Sequence, residues 1–256
     1  MVKKSNIKIP AIAVIRLIVF LFIGFILFWA YSRTVDFLSK ADMFDVKTVL
    51  VDQSISFIDS SFLIGLQGQN IFNVDLNKIH QRISAQYPQI AQLKIMKQLP
   101  NTIKVLAKKR DVLLQVQAHN KFLIVDTEGV TMFYTATLLP FPVVRGIPLK
   151  QKKIILGDIT SIKELNLIVD LFRQLKSHSH TSRLKVVSIE AGNLSKIEVT
   201  VLPNIQIILD QEDLSQKVDM LEVLLQNTKI NWSHVKYVDI RFKEPIINET
   251  IPQGEK

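Results

Sequence analysis

Residues 177–180 read SHSH, two imidazoles two positions apart, and Asp126 and Glu128 are two carboxylates at the same spacing. Closely spaced histidines can ligate zinc, and paired carboxylates can divide acid and base work. Neither pattern is complete. His178 and His180 sit in the polar tail of a helical pattern, with no nearby acid in the sequence and no third ligand. Asp126, Glu128 and Gly129 have the composition of a turn. His80, His119 and His234 read as surface residues on a helix, in a turn and before a strand. There is no cysteine, which excludes disulfides, thiolate metal sites and a thiol nucleophile. There is no Gly-rich phosphate loop, no G-x-S-x-G and no H-E-x-x-H. Catalysis needs a convergent set of groups. No enzyme, metal or cofactor is expected, and no small-molecule substrate.

A different chemistry is legible in VKYVDIRFKEPIIN, residues 235–248. Val238, Ile240 and Phe242 alternate with Tyr237, Asp239, Arg241 and Lys243. That is the period of a half-buried β-strand. Pro245 then removes a backbone donor that a central strand needs. The stretch is expected to be a last strand with an exposed edge. Such an edge offers unpaired N–H and C=O groups to an incoming segment. Lys243 and Pro245 are also residues that protect an edge from aggregation, so the residues alone leave both roles open.

These residues need a scaffold, and 256 residues with 48% hydrophobic content allow one large or two small domains. The net charge is +9, and Lys3, Lys4, Lys8 and Arg16 supply four of those charges before residue 17. The remainder is spread thinly. No Lys/Arg block with interleaved aromatics suggests nucleic-acid binding.

Residues 10–31, PAIAVIRLIVFLFIGFILFWAY, carry a single charge. As a helix they span about 33 Å, enough for a bilayer core of about 30 Å. Arg16 can snorkel to the headgroups from one end, and Trp29 and Tyr31 lie at the other, as an aromatic belt does. These three are the expected anchoring residues. By the positive-inside rule the tail 1–9 is cytoplasmic and the rest lies across the membrane. A cleaved signal peptide is the alternative, but the apolar run is long for one and no clear A-x-A site follows. Residues 32–43 read as a polar linker.

Residues 44–112 contain a strand (44–53), a short helix opened by DSSFLIGLQ (59–67), a helix with Leu76, Ile79, Ile83 and Tyr87 on one stripe, and two strands joined at Pro100-Asn101. That is β-α-α-β-β, a small sheet with helices on one face. Residues 113–248 are strand-rich, with two amphipathic helices at 161–177 and 213–228, the second capped by Asp213. The class is α+β, the second domain mostly antiparallel. Residues 249–256 read as a flexible tail.

Taken in order, this chain resembles the FtsQ/DivIB family of bacterial cell-division proteins. The basic tail and single span, FDVKTVLV, GQNIFNVDLNKI, YPQIAQLKIMKQLPNTIKV, KFLIVDTEGV, LPFPVVRGIP, DLSQKVDMLEVLLQN and VKYVDIRF carry the resemblance along nearly the whole chain. Two places depart from it. Asp52-Gln53 stands where the family often has glycine, and KKRDV stands where an E-R-x-P pattern is common. The resemblance implies a POTRA domain over 44–112 and a β domain over 113–248. It implies a non-enzymatic divisome scaffold at the septum. The implied partners are FtsB/DivIC-like and FtsL-like single-span proteins and other divisome members. It implies partner-strand addition on Tyr237, Val238, Asp239, Ile240, Arg241, Phe242, Lys243 and Glu244, with the backbone of 238–243 pairing. Gln89–Gln98 is a second docking stretch on this reading. The alternative is a membrane-anchored POTRA chaperone for extended envelope polypeptides.

Overall fold

The computed structural model describes residues 11–52, 57–58, 65–149 and 154–249. Two compact units divide the chain, residues 1–82 with 93–107 and residues 83–92 with 108–256.

The first unit opens with α1 (Ala11–Lys40). Its stretch Ile15–Lys40 is long and apolar enough to cross a membrane. Its large apolar side chains stand exposed on every side, the composition of a helix solvated by lipid rather than packed in a core. Residues 32–40, expected to be a linker, continue this helix. No Gly or Pro interrupts them, Thr34 Oγ1 donates to the Ala30 carbonyl at 2.9 Å, and Asp36 pairs with Lys40 at 3.3 Å one turn on.

A 3₁₀ turn (Asp42–Phe44) leads to β1 (Thr48–Val51). The helix α2 (Leu76–Gln86) and the strands β2 (Ile90–Gln98) and β3 (Thr102–Lys109) complete the small fold. The sheet order is β1-β3-β2, with β1 and β3 parallel. Asp75 caps α2 as its sequence suggests, its Oδ1 accepting from the Asn77 and Lys78 amides at 3.0 and 3.2 Å. The expected stripe is real, since Ile79, Ile83 and Tyr87 are buried. The short helix expected at 59–67 falls mostly outside the described residues, and 65–67 form a turn.

The second unit carries β4 (Val112–Ala118), β5 (Lys121–Asp126), β6 (Thr131–Thr135), β7 (Val143–Arg145), α3 (Lys163–Ser177), β8 (Val186–Glu190), β9 (Ile197–Val201), β10 (Ile205–Leu209), α4 (Leu214–Gln226), β11 (Val235–Asp239) and β12 (Ile246–Glu249). One sheet holds all nine of these strands in the order β12-β11-β10-β9-β8-β7-β4-β5-β6. The pairs β10–β11, β7–β8 and β4–β7 are parallel, and the other five are antiparallel. The stripe of α3 (Leu165, Ile168, Val169, Phe172, Leu175) and that of α4 (Val218, Leu221) share one core with inward residues of the sheet, Val116, Val199, Ile207 and Val238 among them. Burial of each such side chain contributes about 1.5–3 kcal/mol. Asp213 does precede α4, but it is left-handed at φ 45° and its side chain makes no capping bond. Asp210 takes a turn role nearby, accepting from the Glu212 amide at 2.9 Å and pairing with Lys217.

Gly146 follows β7 and Gly192 follows β8, where two parallel backbones leave the sheet together. A Cβ on Gly146, at φ +82°, would overlap the Gly192 amide nitrogen. Gly146→Ala therefore combines a left-handed backbone with a clash against main chain that cannot rotate away. The expected cost is about 2 kcal/mol, read as a lower urea midpoint at unchanged slope.

Candidate functional site

The candidate site is the β11–β12 end of the large sheet. Tyr237, Val238 and Asp239 belong to β11, and Ile240, Arg241, Phe242, Lys243 and Glu244 form the bend that follows. The strand alternation read through Lys243 stops at Asp239, and the chain returns as β12. This corrects the expected backbone role of 238–243. β11 is an interior strand. On one side Tyr237, Val238 and Asp239 pair with Gln206, Ile207 and Ile208, and on the other with Asn248, Ile247 and Ile246. The terminal edge is β12, whose outer side has no strand beside it among the described residues. Ile246, Ile247, Asn248 and Glu249 were the residues to single out, and Glu249 is strand rather than tail. The signal was present in the apolar pair Ile246-Ile247 just after Pro245.

The turn has a physical cause. Asp239 Oδ1 accepts from the Arg241 amide at 3.1 Å, and the Arg241 guanidinium reaches back to both carboxylate oxygens, with Nη2 to Oδ2 at 2.6 Å. An aspartate that binds the amide two residues on is a turn former. The Arg241 hydrogen bonds are the main reason the Asp239 carboxyl is held below the usual carboxylate range, against the opposing effect of burial. Arg241 is held up in turn. This also explains why Asp239 is buried although the alternation placed it outward. Arg241 is thus committed to its own turn, and Lys243 is the exposed cation of the segment. Arg241 lies 5.3 Å from the centre of the Phe242 ring, a cation–π distance. Phe242 was expected on the buried face with Val238 and Ile240. Those two are at 0% and 1% exposure, whereas Phe242 is at 53%. The strand period fails at Phe242 because the strand has already ended.

The three residues expected to anchor the chain, Arg16, Trp29 and Tyr31, stand exposed on α1. Arg33 lies 5.5 Å over the Trp29 ring.

The histidine pair does have acids beside it, which the sequence hid. His178 Nε2 is 2.8 Å from Asp219, and His180 Nδ1 is 2.7 Å from Glu222. Both acids come from α4, some forty residues away in sequence. Glu222 also accepts from the Ser179 hydroxyl, the His180 and Thr181 amides and Gln226. It clamps the 178–181 loop to α4. No group of three or more metal-ligating side chains occurs among the described residues. Burial pushes the Glu222 carboxyl up. The bonds from Thr181, His180 and Gln226 outweigh this and hold it well below the usual carboxylate range. The sign follows. The unfolded carboxyl titrates at about 4.3, so the clamp's contribution is complete above that pH and is lost as pH falls below it. Glu222→Gln is expected to lower the melting temperature at neutral pH. Its deficit against the parent should shrink between about pH 4.3 and about pH 2.5, in scans monitored by circular dichroism.

Comparison with known proteins bears on this architecture. A family profile described as "POTRA domain, FtsQ-type" matches residues 60–109, and one described as "Cell division protein FtsQ/DivIB, C-terminal" matches residues 113–241. The chain belongs to the FtsQ/DivIB family. The second profile alone spans just over half of the 256 residues. The chain is 26% identical over 213 residues to "Cell division protein DivIB" of Clostridium acetobutylicum, covering 80% of this chain and 82% of that one. It is 25% identical over 198 residues to "Cell division protein FtsQ" of Aliivibrio fischeri, covering 77% and 69%. The major extracytoplasmic domain of DivIB from Geobacillus stearothermophilus aligns at a TM-score of 0.30 with 12% identity, over 48% of this chain and 99% of that one. This FtsQ/DivIB chain therefore has the family's α+β organisation, an apolar N-terminal helix followed by a POTRA domain and a β-rich domain. The family is one of cell-division proteins and not a known class of enzyme.

Proposed function

We propose that this FtsQ/DivIB protein is a non-enzymatic scaffold that captures a single-span division partner by strand addition to β12. The carrying observation is that β12 ends the nine-stranded sheet with its outer side unpaired among the described residues. An added strand completes the ladder that β12 leaves open. Phe242 and Ile246, both at least half exposed, flank that edge and supply apolar contacts. Lys243 supplies a positive charge suited to an acidic segment.

The family resemblance supports an FtsB/DivIC-like partner, with an FtsL-like protein and other divisome members in the same assembly. α1 holds the scaffold in the membrane plane, which raises the effective concentration of other single-span proteins. By the positive-inside rule, Lys3, Lys4 and Lys8 support an N-terminus in the cytoplasm with both folded units on the outer side. Septal peptidoglycan synthesis is then influenced through the enzymes that the assembly recruits.

A photo-activatable crosslinker at Phe242 in growing cells tests this. One dominant adduct with a small single-span coiled-coil protein is the expected result. A smear of unrelated envelope polypeptides instead supports a POTRA chaperone, and absence of any adduct from folded protein removes the bend from the interface.

A further inference from the structure

The end of α1 is built into the first unit rather than tethered to it. Asn70, buried at 8% exposure, donates its Nδ2 to the Leu38 carbonyl at 2.9 Å, a group the helix end leaves without an internal partner. Its Oδ1 accepts from the Phe72 amide at 3.0 Å. Ile71 N donates to the Phe44 carbonyl at 2.8 Å, and the Phe44 and Phe72 rings meet edge to face at 5.1 Å. The domain cannot swing freely away from the helix while these contacts hold.

Topology brings a third segment to the same end. β1 and β3 are parallel, so the turn before β3 returns to where β1 begins. Lys47 N donates to the Asn101 carbonyl at 2.9 Å there, and Lys97 Nζ reaches the Phe72 carbonyl at 3.3 Å. Four large apolar side chains, Phe37, Met43, Phe72 and Leu99, thus lie on the segments that meet at the helix exit. Their exposures run from 40% at Phe72 to 64% at Phe37. Among the described residues, no other feature of this end explains so much exposed apolar surface.

The length of α1 states what lies beside them. Arg16 and Arg33 bracket a stretch without charge. A hydrocarbon core of about 30 Å centred between them reaches to about residue 34 at 1.5 Å per residue. Phe37 then falls in the headgroup layer, which adds about 5–7 Å on each side. Met43, Phe72 and Leu99 are attached to the helix just beyond it.

We infer that Phe37, Met43, Phe72 and Leu99 form a collar that seats the POTRA domain on the surface of the membrane α1 crosses. The inference rests on the reading of α1 as a membrane anchor. The bound surface is the headgroup layer, the level at which aromatic side chains are enriched. Charge contributes little, because Arg33, Lys40, Lys47 and Lys97 are nearly matched by Asp36, Asp42 and Asp45, and Asp36 is already paired with Lys40. The collar is accordingly indifferent to anionic lipid. Seated this way, the domain holds a set height and orientation above the bilayer.

The absence of cysteine makes the test clean. The full chain is reconstituted into nanodiscs of phosphatidylcholine, with and without phosphatidylglycerol. A nitroxide is placed singly through Phe72→Cys, Leu99→Cys, Phe25→Cys and Lys108→Cys. Relaxation by oxygen, which concentrates in lipid, is compared with relaxation by a water-soluble nickel chelate. Phe25→Cys reports the bilayer interior, and Lys108→Cys reports water from the opposite end of β3, about 20 Å from Thr102. The expected oxygen-to-nickel ratio at positions 72 and 99 is several-fold above that at 108 and unchanged by phosphatidylglycerol. A ratio at both positions equal to that at 108, with 25 deep in lipid, overturns the collar and leaves the anchor standing. A strong rise only with phosphatidylglycerol overturns the apolar basis of the contact. A position 25 as wet as 108 overturns the anchor, and the collar with it.

Discussion

Asp126→Ala is expected to destabilise the β domain by about 3–5 kcal/mol. Asp126 ends β5 with its side chain only 3% exposed. Oδ2 receives Arg110 Nη1 at 2.7 Å, and Oδ1 receives the Glu128 and Val130 amides at 2.8 and 2.7 Å. Removing the carboxylate strands three donors, one of them a guanidinium that is itself 13% exposed. An uncompensated buried charge is what makes breaking such a pair costly. The second ion pair of Arg110, with Glu128 at 3.2 Å, cannot replace it. Glu128 is 71% exposed, and surface pairs are worth about 0–1 kcal/mol. Asp126→Asn keeps an acceptor for the two amides and should cost less than half as much. Urea unfolding of the full chain in detergent, followed by Trp232 fluorescence in a Trp29→Phe background, measures both. Equal losses for Ala and Asn would show that the amide bonds carry nothing and that charge alone matters.

Arg110 has a further duty. Its Nε donates to the Pro88 carbonyl at 3.1 Å, and its amide donates to the Gln89 carbonyl at 2.8 Å. Both contacts lie within the unit formed by residues 83–92 and 108–256. The KKRDV departure lacks the glutamate and proline common in the family, yet the arginine it keeps makes every one of these contacts.

Phe242→Ala is expected to weaken the complex with the captured partner about 100-fold, about 2.8 kcal/mol, the range of an interface hot spot. The same substitution should leave the melting temperature of the free protein within a degree or so of the parent, since exposed side chains away from special backbone contribute about 0.5 kcal/mol or less. That separation is the value of the position. Val238→Ala would also weaken binding, but through loss of the core, and so would not discriminate. Phe242 is presented by a turn that Asp239 and Arg241 hold, and it sits beside the open edge of β12. Isothermal titration against the partner identified by crosslinking gives the affinity, and calorimetric melting gives the control. Unchanged affinity would mean that strand pairing proceeds without the bend.

The helices were legible because their apolar residues repeat at 3.6-residue spacing over three or more turns. The α3 stripe from Leu165 to Leu175 is buried as read. The POTRA strands were legible by alternation, and the cap at Asp75 by residue type. The cap at Asp213 was misread because residue type does not report backbone, and φ 45° turns that side chain away from the helix amides. The length of α1 was underestimated because polar residues 32–40 signal the end of a membrane core, not the end of a helix. Helical hydrogen bonding continues wherever no Gly or Pro stops it.

What the sequence by itself determined is the set of locally coded properties: one apolar span, a POTRA-like order of elements, a strand-rich domain, and an unusual last stretch after His234. Periodicity and composition act over a few residues, so one chain suffices to read them. What only the tertiary structure decided is which strand lies at the edge, which acids meet His178 and His180, and which apolar residues collect where α1 ends. Those depend on register and on parallel pairings such as β10 with β11 and β1 with β3, which join residues far apart in sequence. A return of the chain over six residues moves the edge from β11 to β12, and no local pattern encodes which side of a strand its own continuation will cover.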